Sequence, residues 1–226
     1  AQELEEFADV LEQSNDFQAD LQNLLHDTFK AHQRIIFNGN GYGEDWVQEA
    51  QRRGLSNLRD TVDCMPAYID PKNIRLFAGH NILSETEMRA RYEIHLENYC
   101  KVTAIEASTL RDMVLRGILP AVNRYTADLT QAILHKRELV VPCRVEEDLL
   151  QKLSALTSSL YDTMAAINEA MDKAPDAEGG IDAARYYREE IVRRMEEARQ
   201  SIDQLESLTA AKYWPYPTYA DILFSV

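Results

Sequence analysis

The sequence predicts a mainly α fold: a small, loop-rich helical part, then three long helices, two of them an antiparallel hairpin, and an extended C-terminal tail. Three observations predict it. Apolar residues recur at three- and four-residue spacing over most of the chain, the period of a helix with one buried face. Only eight Gly and seven Pro punctuate 226 residues, too few for a strand-rich fold with many turns. The clearest turn, Pro175-Asp176-Ala177-Glu178-Gly179-Gly180, separates two long helical patterns.

The elements follow in order. Leu4, Phe7, Ala8 and Leu11 mark a short amphipathic helix, and Phe17, Leu21, Leu24, Leu25 and Phe29 mark a second after Ser14 and Asp16. Ile35-Ile36-Phe37 reads as a short strand or extended piece, ended by the loop Asn38 to Gly43. Glu44 to Arg53 is a compact helix with Gly54 at its C-terminal stop, and Asn57 to Pro66 reads as irregular. Pro71, favoured at a first helical position, opens a helix that ends at Gly79. Residues 1–83 therefore form the loop-rich helical subdomain, and 84–226 the long-helix domain.

Ser84-Glu85-Thr86-Glu87 is a capping box that starts a helix running to about His135, with a kink expected at Pro120. Beyond Val141-Pro142, Leu149, Leu153, Leu156, Leu160, Met164, Ile167 and Met171 form one arm of the hairpin. Ile181, Ala184, Ile191, Met195, Ala198, Ile202 and Leu205 form the other, and the pair is expected to pack on the longer helix as a three-helix layer. Trp214-Pro215-Tyr216-Pro217 breaks the period, and the tail ending in Ile222-Leu223-Phe224 is expected to dock on the body.

Charge excludes some partners. With 38 Asp plus Glu against 24 Lys plus Arg, the formal charge is −14, which disfavours nucleic acid and anionic membrane. No apolar run approaches the roughly 20 residues that span a bilayer. Cys64, Cys100 and Cys143 are far apart and outside any CxxC, which suggests buried thiols in a reducing cytoplasm. The chain begins without Met inside a helical pattern, as a segment of a longer polypeptide, or a processed or tagged chain, would.

No catalytic, cofactor-binding or metal-ligating residue is expected. Gly39-x-Gly41-x-Gly43 precedes a helix, but it lacks the Lys and Ser/Thr of a phosphate loop, and Glu44 and Asp45 would repel a phosphate. Structural glycines in a turn are the simpler reading. His26, His32, His80, His95 and His135 lack metal-ligand spacing and read as surface residues. Glu85, Glu87, Arg89, Arg91, Glu93 and Glu97 read as a solvated face with Glu85–Arg89 and Glu87–Arg91 pairs. The basic group Lys30, Arg34, Arg52, Arg53 and Arg59 is assigned to ion pairs with acidic neighbours.

Several stretches stand out together: Arg34-Ile35-Ile36-Phe37-Asn38-Gly39-Asn40-Gly41-Tyr42 with Trp46 and Glu49 to Leu55, and Arg91-Tyr92-Glu93-Ile94 with Glu97-Asn98-Tyr99. Ile105-Glu106-Ala107, Ile118-Leu119-Pro120-Ala121 and Tyr213 to Tyr219 complete the set. Together they resemble the region that follows the catalytic barrel of type III glutamine synthetases. The resemblance implies a parent enzyme that joins ammonia to glutamate with ATP and Mg or Mn, and assembles as double hexameric rings. It implies an upstream catalytic domain and the other subunits of a homo-oligomer as partners. The family's metal, ATP and glutamate ligands belong to that barrel, so the chain is expected to support and assemble rather than to catalyse. The alternative is an independent helical protein-interaction module.

Overall fold

Several helices of this protein begin where a side chain, Asp16, Asp60, Asp70 or Ser84, accepts from one of the first free N–H groups. The computed structural model describes residues 2–224, which contain no strand. Contacts divide the chain into two compact units, Ala1–Arg59 and Asp60–Val226. In the first unit α1 is Gln2–Glu12 and α2 is Phe17–Ala31, the latter capped by Asp16, whose carboxylate accepts from the N–H of Ala19 at 3.1 Å. Of the strand or extended piece expected at Ile35–Phe37, no strand forms: Gln33–Ile35 is a 3-10 turn, and Ile36 has an extended backbone. A three-residue run with no second strand has no ladder to join. Arg53 occupies its carbonyls instead, with Nη1 donating to Gln33, Arg34 and Ile36, the last at 2.6 Å. α3, Glu44–Arg52, closes on Gly54 at φ +65° as expected.

In the second unit, residues 61–66, part of the stretch Asn57 to Pro66 expected to be irregular, are helical. α4, Thr61–Tyr68, starts on Asp60, whose carboxylate accepts from Asp63 N–H at 2.8 Å, and it tolerates Pro66 in its interior. Tertiary packing offsets that proline, because Val62 and Met65 are buried in the core. α5, Pro71–Gly79, is capped by Asp70. α4 and α5 both pack on the long helix that follows, so the compact unit begins at Asp60, earlier than the expected division at 83/84.

The capping box at Ser84 forms in both directions and starts α6, Glu85–Met113. The helical column continues through a π turn, Val114–Ile118, into α7, Leu119–Glu138, and at 1.5 Å per residue spans roughly 80 Å. Pro120 explains the π turn. Its ring cannot donate and crowds the carbonyl four residues back, so the ladder opens and Leu119 N–H reaches five residues back to Val114. α8, Arg144–Asp172, returns along α7. The last arm is α9, Gly180–Tyr186, a second π turn, Tyr187–Val192, and α10, Arg193–Leu208. α8 lies between α7 and α10 and buries Leu153, Leu160, Met164 and Ile167 almost completely.

The second π turn was not expected from periodicity. It buries Tyr187 and Ile191, while Arg188 donates to Asp63 at 2.6 Å and to Asp60 at 3.1 Å. The paired carboxylates hold the Arg188 guanidinium more firmly protonated than usual.

The tail docks through Tyr213–Pro217 and less through its end. Tyr213 donates to Asp128 and its ring lies 5.3 Å from that of Tyr125. Tyr216 donates to the Met113 carbonyl at 3.2 Å, just before the first π turn, and its Oη stands 2.5 Å from where a Cβ on Gly117 would be. Leu223 and Phe224, expected to dock, are largely exposed.

Three helix ends share one geometry. After α3, α5 and α7 the residue in left-handed backbone is Gly54, Asn81 and Val140, and the next N–H bonds the carbonyl five residues back. Glycine and asparagine adopt this backbone readily, whereas a β-branched residue is strained there, by roughly 1–2 kcal/mol.

Arg188→Met is expected to destabilise the protein by about 1 kcal/mol, since the ion pairs are partly solvated. Hydrogen exchange should then speed up in α4 and stay unchanged in the middle of α6. Gly117→Ala would raise helix propensity by about 1 kcal/mol in isolation, yet it is expected to displace Tyr216. Faster exchange across 213–218 with no gain in melting temperature is the result that checks this.

Candidate functional site

The loop between the 3-10 turn and α3 is built from local contacts. Asn40 accepts from the N–H of Tyr42 through its side chain at 3.0 Å and from Gly43 through its carbonyl at 3.1 Å, a turn that polar side chains favour. A Cβ at Gly39 would fall 2.5 Å from the Phe37 ring, which packs 4.8 Å from Trp46. Glycine at 39 thus makes room for an aromatic pair. The helix beyond opens with Glu44 and Asp45.

The candidate chemical groups lie apart. All five histidines are exposed. His26 meets Asp27 at 3.1 Å, and His95 stands edge-on to Tyr68. Among the described residues no three His, Cys, Asp or Glu side chains group as a metal would need. Cys100 is fully buried, and burial pushes its thiol above the usual range. Cys143 is buried and donates to Glu147 at 3.1 Å, which also holds its thiol up. Cys64, expected inside, is exposed, and its thiol faces the Thr61 carbonyl. No described helix is long and apolar enough to cross a membrane.

Charged groups are largely absorbed by neighbours. Glu85 pairs with Arg89 at 2.8 Å as expected. Glu87 instead turns back on Ser84, which lowers its pKa more than the charge of Arg91 does. Arg52 and Arg53 both hold Glu49, with contacts of 2.5 Å, and their hydrogen bonds drive its carboxyl down to about 2. This cluster ties α3 to the 3-10 segment through Arg53.

Two of the clefts in the second unit lie beside groups named above. One, about 270 Å³, sits beneath the docked tail between Leu110, Met113, Ile202, Trp214 and Ile222. The other, about 480 Å³, runs between α4 and α6 past Cys64, Tyr68, His95 and Glu106. Arg199, Asp203 and Glu206 also line the first, and Thr61, Asn98 and Thr103 the second. The features missed by sequence reasoning are contacts instead: the seat of Tyr216 on Gly117, and the apolar turn after α7. A glycine three residues before a proline inside a helical pattern was the available signal for the first.

Glu49 makes a pH prediction. Its folded pKa lies below the unfolded value, so the stabilisation it brings is complete above about 4.5 and is lost as pH falls towards about 2. Exchange at the Leu55 amide should be faster in Glu49→Gln than in the parent at pH 6, and the two should converge near pH 2.

Comparison with known proteins gives the context. A family model described as glutamine synthetase C-terminal domain matches residues 20–137. The glutamine synthetase of Butyrivibrio fibrisolvens is 36% identical over 208 residues, covering 91% of this chain and 30% of that protein. The type-3 glutamine synthetase of Dictyostelium discoideum is 31% identical over 211 residues, covering 89% and 28%. The glutamine synthetase of Bacteroides fragilis strain YCH46 is 29% identical over 208 residues, covering 89% and 28%. The chain thus spans less than a third of the length of these relatives. The family model reaches from α2 to the last turn of α7, and the pairwise similarities extend past it into the hairpin. The chain belongs to the glutamine synthetase C-terminal domain family.

Proposed function

We propose that this chain is the support and assembly segment of a glutamine synthetase, one whose complete polypeptide makes glutamine from glutamate, ammonia and ATP with Mg or Mn. The catalytic groups lie in the preceding part of that polypeptide. The complete protein is a cytoplasmic homo-oligomer, arranged as double hexameric rings.

The observation that carries this reading is the first unit's lack of a core of its own. Among its described residues Ala50 is the only buried apolar side chain, whereas Leu4, Phe17, Phe29 and Ile35 are all more than half exposed. A unit of 59 residues with so little burial gains too little to offset its chain entropy. Its apolar faces fit an origin within a larger enzyme, where the catalytic part covers them. The second unit, with its continuous core, serves as the scaffold.

Hydrogen exchange tests this reading. In the chain alone, amides of α1 and α2 should exchange within seconds to minutes; in the complete polypeptide they should be protected at least about tenfold more. Equal protection in both would overturn it. Supplied with glutamate, ammonia, ATP and Mg or Mn, the chain alone should form no glutamine, and glutamine formation would contradict the assignment.

A further inference from the structure

The corner between α7 and α8 carries an apolar knob that the described residues leave uncovered. Leu139 is 75% exposed, Val140 89% and Val145 74%, and Leu134 and Val141, near them in sequence, are exposed as well. The knob is held firmly. Val140 and Val141 N–H groups close the end of α7 on the carbonyls of Arg137 and Lys136. Lys136 pairs with Glu146 at 2.5 Å and Arg137 with Glu147 at 2.7 Å, which staples α7 to α8.

Val140 holds a position where the chain elsewhere uses Gly54 and Asn81, and its side chain meets solvent. Packing within the chain therefore does not explain the strained valine. An exposed, preorganised apolar group on a rigid corner is suited to contact with another surface.

Charge selects the occupant. At −14 overall, two copies of the chain repel over most approaches. From Leu134 to Glu147 the formal charges balance, with Lys136, Arg137 and Arg144 against Glu138, Glu146 and Glu147. Four of these are paired across the corner. Glu138 and Arg144 remain, exposed and of opposite sign, adjacent in sequence to Leu139 and Val145. A two-fold axis makes every contact reciprocal, so the acid of each copy is offered the base of the other.

We propose that this corner is a two-fold contact between copies of the chain, with Leu139, Val140 and Val145 at its centre and two Glu138–Arg144 pairs at its rim. The choice of a second copy rests on the homo-oligomer reading above. Five side chains cover a few hundred Å², well under the roughly 800 Å² per partner of a stable complex. Isolated chains should therefore associate weakly, with a Kd of about 0.1–1 mM, and the contact gains weight where other interfaces hold copies close.

Sedimentation equilibrium up to about 1 mM chain tests the proposal. Glu138→Arg and Arg144→Glu should each weaken association about tenfold by opposing like charges, and the double variant should return to within about threefold of the parent. Val140→Gly should raise the melting temperature and weaken association several-fold; a raised melting temperature with unchanged association would overturn the proposal. Absence of association at 1 mM, or a double variant as weak as either single one, would overturn it too. Association that no variant alters would reject the corner and leave the homo-oligomer reading standing, whereas a monomeric complete polypeptide would reject that reading.

Discussion

The column from Glu85 to Glu138 must keep its hydrogen-bonded ladder while passing a proline, and much of the second unit is arranged around how it does so. Pro120 removes one donor and crowds the turn before it. The helix widens to a π turn rather than breaking, so α6 and α7 remain one support for α4, α5, α8 and the last helical arm. The widened turn contains Gly117, whose missing Cβ leaves space for Tyr216. One irregularity thus supplies both the continuity of the rod and the seat of the tail.

The two units differ in self-sufficiency. The second encloses a contiguous core in which α8 contributes a nearly dry seam of Leu153, Leu160, Met164 and Ile167. The first is organised by polar contacts, above all Arg53 gathering three carbonyls and sharing Glu49 with Arg52. Such contacts fix local shape, but they supply little of the apolar burial that sustains an independent domain. This contrast agrees with a family in which the matched region is under a third of the whole protein.

Elements with a local chemical signal were legible in the sequence. Gly54 ended α3, Pro71 opened α5, and the Ser84–Glu87 box opened α6 because caps and turn residues act over three or four positions. α4 was not legible: Pro66 argues against a helix, and only burial of Val62 and Met65 overrides it. At Ile35–Phe37, read as a strand or extended piece, Ile36 is extended but no strand forms, since β-branched composition favours extension while a strand needs a partner. The expectation of buried thiols held for Cys100 and Cys143 and failed for Cys64, on the outer side of a short helix. The candidate site was legible mainly as a set of motifs that lacked their required company.

The sequence by itself determined the helical class, the stop at Gly54 and the box at Ser84, the central turn of the hairpin and the family, because each is written in short-range patterns or in similarity along the chain. Tertiary structure alone decided where the second ladder opens into a π turn and that Arg188 reaches Asp60 and Asp63 from more than 120 residues away. It also decided that Leu139, Val140 and Val145 stand exposed on a rigid corner. The physical reason is common to all of these: they depend on which surfaces are buried together, and the period of a single helix records a buried face without naming what buries it.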